Sequence, residues 1–422
     1  MIKVVWFSSC VFSDTSHRFT GSWLQPLAEG LIRSGEVEVF NITRDFTSSV
    51  EVTQTACNIK QWILPKYRPG EGRLSSEPYH VCCRVQAILD EIQPDIVHIW
   101  GTEFKWASIF KKGYINYPCF LDMQGVMSSC APIYLADLQG KERQNVLFGW
   151  QDLQNIKKSI LWRFSEMKKK AKRERQLLPL FSHISVQSKF AAQWVGDIAP
   201  SAKLLHTGII LRKEFYSAPS LSSSQAQPFR IFTSASSFDL PYKGLHVLLK
   251  ALVILKLTIP NIELWMCGKP LRTGKQSSGY ERKIADLIER EQLGTNIKAL
   301  GSLDASQLIE AMGQCTICIV PSFVESYCLG MAEAMMAGMA CVASRAGAMP
   351  ELAIASEEAL FFTPGSATEL AEQALRLLQD PVLRADMGQK ARARRLRDNQ
   401  INQIVAQQIE NYRIVLHDSQ HN

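Results

Sequence analysis

Residues 320–352 read VPSFVESYCLGMAEAMMAGMACVASRAGAMPEL, and the order of residue types sets the architecture. The apolar run CTICIV (315–320) reads as a buried strand that stops at Pro321, which has no backbone N–H to give to a sheet. Glu325 falls in the loop beyond it. Gly330 precedes a helical stretch that carries Glu333 and closes at Gly338, and a second apolar run leads from Cys341 to Ser344. Gly347, Ala348 and Pro350 then form another tight loop. Strand, loop, helix and strand in this order predict a parallel βαβ unit.

The same alternation continues outward. Upstream, FRIFTSAS, IELWMCG and NIKALGS read as strands, with GLHVLLKALVILK, YERKIADLIEREQLG and SQLIEAMGQ helical between them. Nearer the start, KVVWFSS, VEVFNIT, DIVHIW, PCFLDMQG and FSHISVQS read as strands, and GSWLQPLAEGLIRSG and CRVQAILDEI as helices. YSAPSLSSSQAQP (216–228) lacks charge and periodicity and reads as a linker. The expected fold class is therefore α/β, with two doubly wound parallel sheets. A first domain covers 1–215 and a second 229–399, and a final helix near 400–418 could pack back on the first. In open parallel sheets ligands bind beyond the carboxyl ends of the strands, so the loops at those ends are where chemistry is sought.

The loop Ser326, Tyr327, Cys328, Leu329 and Gly330 lies between a strand and a helix. There, free backbone N–H groups and the helix dipole favour phosphate oxygens. Glu333 could accept hydrogen bonds from ribose hydroxyls, and Glu325, eight residues earlier, could face a sugar. Two glutamates eight apart are weak evidence alone, since a solvated loop residue and a charge near a helix start would account for them equally well. Their coincidence with a strand end, a helix start and small-residue loops raises the signal.

This segment resembles the donor-site signature of the retaining GT-B glycosyltransferases of the large group-one family, two Rossmann-like domains facing across a cleft. Pro321, Ser322, Glu325, Glu333, Ala334, Gly338, Ala343, Ser344, Gly347, Pro350 and Glu351 carry the likeness. Further pieces follow in order. YKGLHVLLKAL (242–252) resembles the element whose lysine meets donor phosphate, which implies that role for Lys243. CGKP (267–270) resembles the loop after the next strand, and IKALGSLD (297–304) the segment that reads the base through Gly301, Ser302 and Leu303. PDIVHIWGTE (94–103) resembles the strand that ends in a histidine near the sugar, here His98. TGSW (20–23) resembles the small-residue loop with Gly21, and HTGI (206–209) the entry to the second domain. Asp122 and Gln124, ending the next strand, face acceptor or sugar on this reading, or cap a turn. A lone strand histidine is otherwise more often a core residue than a ligand contact.

Two departures stand out. SASSFDLPYKG (234–244) has serines where an upstream arginine is usual, and Cys328 stands where a glycine is usual. The resemblance implies a hexosyltransferase acting with retention and without cofactor or essential metal. It would take a nucleotide-sugar and a saccharide or lipid-linked acceptor in polysaccharide or glycolipid assembly. Electrostatic stabilisation of the departing diphosphate falls to Lys243 and the 326–330 backbone. Glu325, His98 and Lys243 are the expected catalytic residues. Alternatives are a non-catalytic subunit on the same fold, or a nucleotide-sugar epimerase or phosphorylase.

Composition fits an ordinary globular chain of 422 residues with 46% hydrophobic and 21% charged residues. The net charge of +7 has a focus at 157–175, KKSILWRFSEMKKKAKRER, which mixes nine Lys/Arg with Leu161, Trp162 and Phe164. A helix of this kind can lie on an anionic membrane, although a solvated helix face is the commoner case. A second basic run, KARARRLR (390–397), reads as an exposed helix face. No aromatic platform accompanies either run, so nucleic acid is not expected as a partner. Eleven scattered cysteines read as reduced thiols, and the Cys315-x-x-Cys318 pair has no second pair or histidine at ligand spacing. The opening MIKVVWFSSC shows no secretory leader, and the expected location is cytoplasmic, peripheral at the inner face of the membrane.

Overall fold

The computed structural model describes residues 1–13, 23–149, 152, 156–221 and 229–421. The chain divides into two compact units. The first comprises Met1–Ser128, Lys170–Arg212 and Asn399–Asn422, and the second Ser129–Lys169 and Lys213–Asp398.

The first unit holds β1 (Ile2–Phe7), β2 (Val37–Arg44), β3 (Val52–Ala56), β4 (Ile59–Leu64), β5 (Ile96–Trp100), β6 (Cys119–Asp122), β7 (His183–Val186) and β8 (Lys203–His206). The second holds β9 (Arg230–Ser237), β10 (Glu263–Lys269), β11 (Ile297–Gly301), β12 (Ile317–Val320), β13 (Cys341–Ser344) and β14 (Leu360–Phe362). The sheet orders are β3-β4-β2-β1-β5-β6-β7-β8 and β11-β10-β9-β12-β13-β14. All pairings are parallel except β3 with β4. Each sheet is built outward from its first strand and then reverses, between β1 and β5 in one unit and between β9 and β12 in the other. Such reversals open a crevice at the carboxyl ends of the strands.

The all-buried runs of β5, β12 and β13 reflect strands covered on both faces. In the second unit the helices Leu245–Thr258, Gly279–Arg290, Ala305–Gly313 and Leu329–Met336 follow β9 to β12 in turn. Two of these carry capping boxes, Ser278 with Glu281 and Asp304 with Gln307.

The unit boundaries depart from the single cut expected near 215. Residues 129–169 pack into the second unit, where Tyr134, Leu135, Leu138, Val146, Leu147 and Ile160 are buried in its core. Six large apolar side chains at roughly 1.5–3 kcal/mol each outweigh sequence proximity to the first unit. Asp137 adds a 2.6 Å contact to His246 Nε2. The closing helix Ile401–Gln420 lies in the first unit. There Tyr412 Oη accepts from Trp6 Nε1, and Asn411 Nδ2 donates to the His206 carbonyl. Of the expected linker, 222–228 lies outside the described residues.

Candidate functional site

The reversal point between β9 and β12 gathers three loops of the second unit. The first, after β9, ends in Lys243–Gly244. Gly244 has φ +73°, and a side chain there would overlap the carbonyl oxygen of Pro321. The Phe323 N–H donates to the Tyr242 carbonyl at 2.7 Å, which fixes this loop against the second one, beyond β12. The third loop follows β13. A Cβ on Gly347 (φ +55°) would stand 2.6 Å from the Glu325 nitrogen, and Ala348 N–H donates to the Glu325 carbonyl at 2.9 Å. Glycine is thus required at 244 and 347 both for backbone conformation and for close approach.

The consequence is a contact between residues far apart in sequence. Lys243 Nζ lies 2.6 Å from Glu325 Oε1, and both side chains keep only a sixth of their surface exposed, 16% and 17%. Burial alone would lower the lysine pKa. The Glu325 charge, the Tyr242 hydroxyl and the Glu325 hydrogen bond outweigh it, so Lys243 is held above its ordinary value and stays charged.

The helix Leu329–Met336 begins ahead of Gly330, two residues earlier than expected. Its N-cap, Cys328, adopts the left-handed conformation with φ +84°. A glycine would carry this conformation without strain, and cysteine costs about 1–2 kcal/mol there. Burial, reinforced by Glu325, holds the Cys328 thiol well above its ordinary pKa, so it is neutral and not nucleophilic. Glu333 therefore falls in the second helical turn and is 5% exposed. Ser326, Tyr327, Leu329 and Gly330 are half-buried around the helix start, and a side chain on Gly330 would meet Ser234 Oγ at 2.9 Å. Gly301 (φ +72°), Ser302 and Leu303 form the loop after β11, next to the Asp304 cap; nothing lies within 4 Å of where a Gly301 side chain would be.

Of the serines that stand in place of the expected arginine, Ser237 has a local task. Ser237 Oγ donates to Asp239, which also receives Arg163 at 3.0 Å and Arg272 at 3.3 Å.

The first-unit residues fall differently. His98 lies inside β5, not at its end, and is fully buried. Its ring stacks on Trp100 at 4.0 Å, and Nδ1 lies 2.8 Å from Tyr412 Oη. Burial drives its pKa well below the ordinary histidine value, so it is neutral. The ring lies among aromatic side chains, and its Nε2 is buried without a hydrogen-bond partner among the described residues. Asp122 is likewise fully enclosed, accepting from Gln124 at 2.8 Å and from Gln187. Burial raises its pKa well above the carboxylate range. Of that pair only Gln124 keeps partial exposure. Gly21 lies outside the described residues.

The basic segment is partly consumed by structure. Arg163 serves Asp239, Arg173 donates to the carbonyls of Thr102 and Glu103, and Glu174 is buried. Leu161, Trp162, Lys168, Lys169, Lys172 and Arg175 remain exposed. The second basic run turns largely inward, a correction to its expected exposure. Arg392 donates to the Ala218 carbonyl at 2.6 Å, Arg394 pairs with Glu358, and Arg395 is buried against the Leu352 carbonyl. No disulfide links cysteines among the described residues. Among the described residues no helix is long and apolar enough to cross a membrane.

Two arrangements were not anticipated from the sequence. One is the contact of Asp137 with His246 and of His246 with Tyr280 Oη at 2.7 Å. The other is Glu103, three residues beyond β5; its place after a strand at a sheet reversal was the available signal.

Residues 226–394 match the family described as Glycosyl transferases group 1. A stretch of 184 residues is 30% identical to the MMP alpha-(1->4)-mannosyltransferase of Mycolicibacterium hassiacum, covering 43% of this chain and 42% of the relative. Another, of 135 residues, is 29% identical to the N-acetyl-alpha-D-glucosaminyl L-malate synthase of Bacillus anthracis, covering 32% and 35%. The chain thus spans about a third to two fifths of the length of these curated relatives. Among solved structures, sucrose-phosphate synthase from Thermosynechococcus elongatus superposes with a TM-score of 0.74 at 16% identity, over 99% of this chain and 100% of that one. HepE of Anabaena in complex with UDP and glucose gives 0.64 at 17% identity, over 97% and 99%. At these identities the likeness establishes the fold, which is GT-B.

Proposed function

We propose that this chain is a glycosyltransferase that moves a hexose from a nucleotide-sugar donor to a saccharide or lipid-linked acceptor. The observation that carries the reading is the buried Lys243–Glu325 pair at the reversal of the second sheet, fenced by Gly244 and Gly347. A permanently charged lysine at the carboxyl end of a parallel sheet is placed to meet a diphosphate. The free N–H groups at the start of Leu329–Met336 add to that field. On donor binding the ammonium shifts part of its contact from Glu325 to phosphate, which leaves the Glu325 carboxylate to the sugar. Glu333 holds the ribose from the second helical turn, and Gly301 to Leu303 meet the base.

The match of 226–394 to the glycosyltransferase family supports this assignment, as does the UDP and glucose named in the HepE complex. The finer reading is transfer with retention, without an essential metal, in polysaccharide or glycolipid assembly at an anionic membrane surface. Departure of the diphosphate leaves a cation-like sugar, and Lys243 stabilises the leaving charge. The deciding experiment measures melting temperature with UDP-, GDP- and ADP-sugars. A donor at 100 times its Kd stabilises by roughly 2.7 kcal/mol. Absence of a shift with every donor would reject the reading.

A further inference from the structure

We propose that Glu103 binds the hydroxyl of the incoming acceptor. The proposal rests on the transferase reading above and extends it to the first unit. Glu103 lies three residues beyond β5, at the β1/β5 reversal, the counterpart in this sheet of the position occupied by Glu325 in the other. In an open parallel sheet this is where ligands bind.

The local backbone is shaped around its carboxylate. Any side chain on Gly101 (φ +78°) would collide with Glu103 Oε2, and a Cβ on Gly125 would stand 2.7 Å from Oε1. The carboxylate thus sits between the loops that follow β5 and β6, one oxygen against each. Those loops are pinned from behind by the last turns of the helix Ile160–Leu177. Arg173 holds the carbonyls of Thr102 and Glu103, and Glu174 takes the Thr102 hydroxyl at 2.7 Å and the N–H groups of Met127 and Ser128 at 3.0 and 2.8 Å. Glu103 is nevertheless half-exposed, unlike its buried neighbours Asp122 and Glu174. A rigidly mounted carboxylate on a residue that keeps partial exposure is suited to a hydroxyl donor.

The charged groups that face it are Glu174, Lys170 and Arg173 from the helix and Asp122 from β6. Burial raises the Glu103 pKa to about 7; the backbone N–H groups of Glu103 and Gly125 and the Lys170 charge oppose this, and Glu174 adds to it. The ionised form accepts the acceptor hydroxyl more strongly.

The test pairs UDP-, GDP- and ADP-sugars with methyl glycosides of glucose, mannose, galactose and N-acetylglucosamine, with water as the reference acceptor. In the wild type, KM for the glycoside is expected to fall as pH rises through about 7. Glu103→Gln should lower kcat/KM for the glycoside about 30-fold, a loss of roughly 2 kcal/mol. It should lower donor hydrolysis far less and remove the pH dependence of KM. Glu103→Asp should keep the pH dependence. An equal fall in transfer and hydrolysis would assign Glu103 to structure and overturn the proposal. So would an unchanged glycoside KM, or a donor-stabilised wild type that transfers to none of the four glycosides. A wild type that no donor stabilises would reject the transferase reading itself.

Discussion

Lys243 and Glu325 lie 82 positions apart in sequence, and their charged atoms meet at 2.6 Å because two glycine-dependent contacts bring their loops together. Gly244 lets one loop touch Pro321, and Gly347 lets a third loop close on Glu325. The pair joins a charge suited to phosphate to a carboxylate suited to sugar.

Removing either partner leaves the other buried alone. Lys243→Met is expected to destabilise by about 3 kcal/mol, the usual penalty for an orphaned buried charge. It should also weaken donor binding about 30-fold, matching a lost charge-assisted contact of roughly 2 kcal/mol. Glu325→Gln should leave donor affinity within a few-fold and abolish transfer. Denaturant melts and donor titrations separate these outcomes.

Gly244→Ala is a sharper probe of the frame, because it leaves every charge in place. A Cβ would overlap the Pro321 oxygen, and φ is +73°. A loss of at least about 2 kcal/mol is expected in chemical unfolding. Gly301→Ala, also at positive φ but facing open space, should cost only about 1 kcal/mol.

Cys328 tests the departure from glycine. Cys328→Gly relieves the φ +84° strain and should leave melting temperature and donor affinity nearly unchanged, since lost packing and added chain entropy offset the relief. Cys328→Val adds a β-branched side chain at positive φ and should destabilise by about 2 kcal/mol. Equal behaviour of the two variants would contradict the observed backbone.

Stability should depend on pH through Glu103. Its folded pKa, about 7, stands above the ordinary 4.5, so the folded state binds its proton more tightly. The contribution is therefore complete below about 4.5 and is lost as pH rises through 7. Glu103→Gln should flatten the stability curve between those values and be the more stable chain at pH 8. A steeper curve in the variant would contradict the assignment.

The exposed face with Leu161, Trp162, Lys168, Lys169, Lys172 and Arg175 predicts sedimentation with phosphatidylglycerol vesicles and not with phosphatidylcholine vesicles. Lys168→Glu with Lys169→Glu and Lys172→Glu should abolish it while leaving donor stabilisation intact. Retained binding would remove the helix from the membrane reading.

The sequence by itself determined the alternation of strands and helices, the order of the donor-side loops and the place of Glu325 and Lys243 beyond strand ends. These features are local: apolar runs, proline and glycine stops and helical periodicity are written in consecutive residues. The β3–β4 hairpin escaped, since its turn uses Cys57 and Asn58 at φ 53° and 59° without a glycine to announce it. Only the tertiary structure decided which side chains are open. His98 and Asp122 belong to sequence motifs that suggest site residues, yet neighbouring strands and the Tyr412 helix enclose them. It also decided that residues 129–169 join the second unit, and that Glu103, the last residue of the PDIVHIWGTE stretch, sits between the loops after β5 and β6. Burial is a sum over contacts from distant segments, and no stretch of the chain carries that sum.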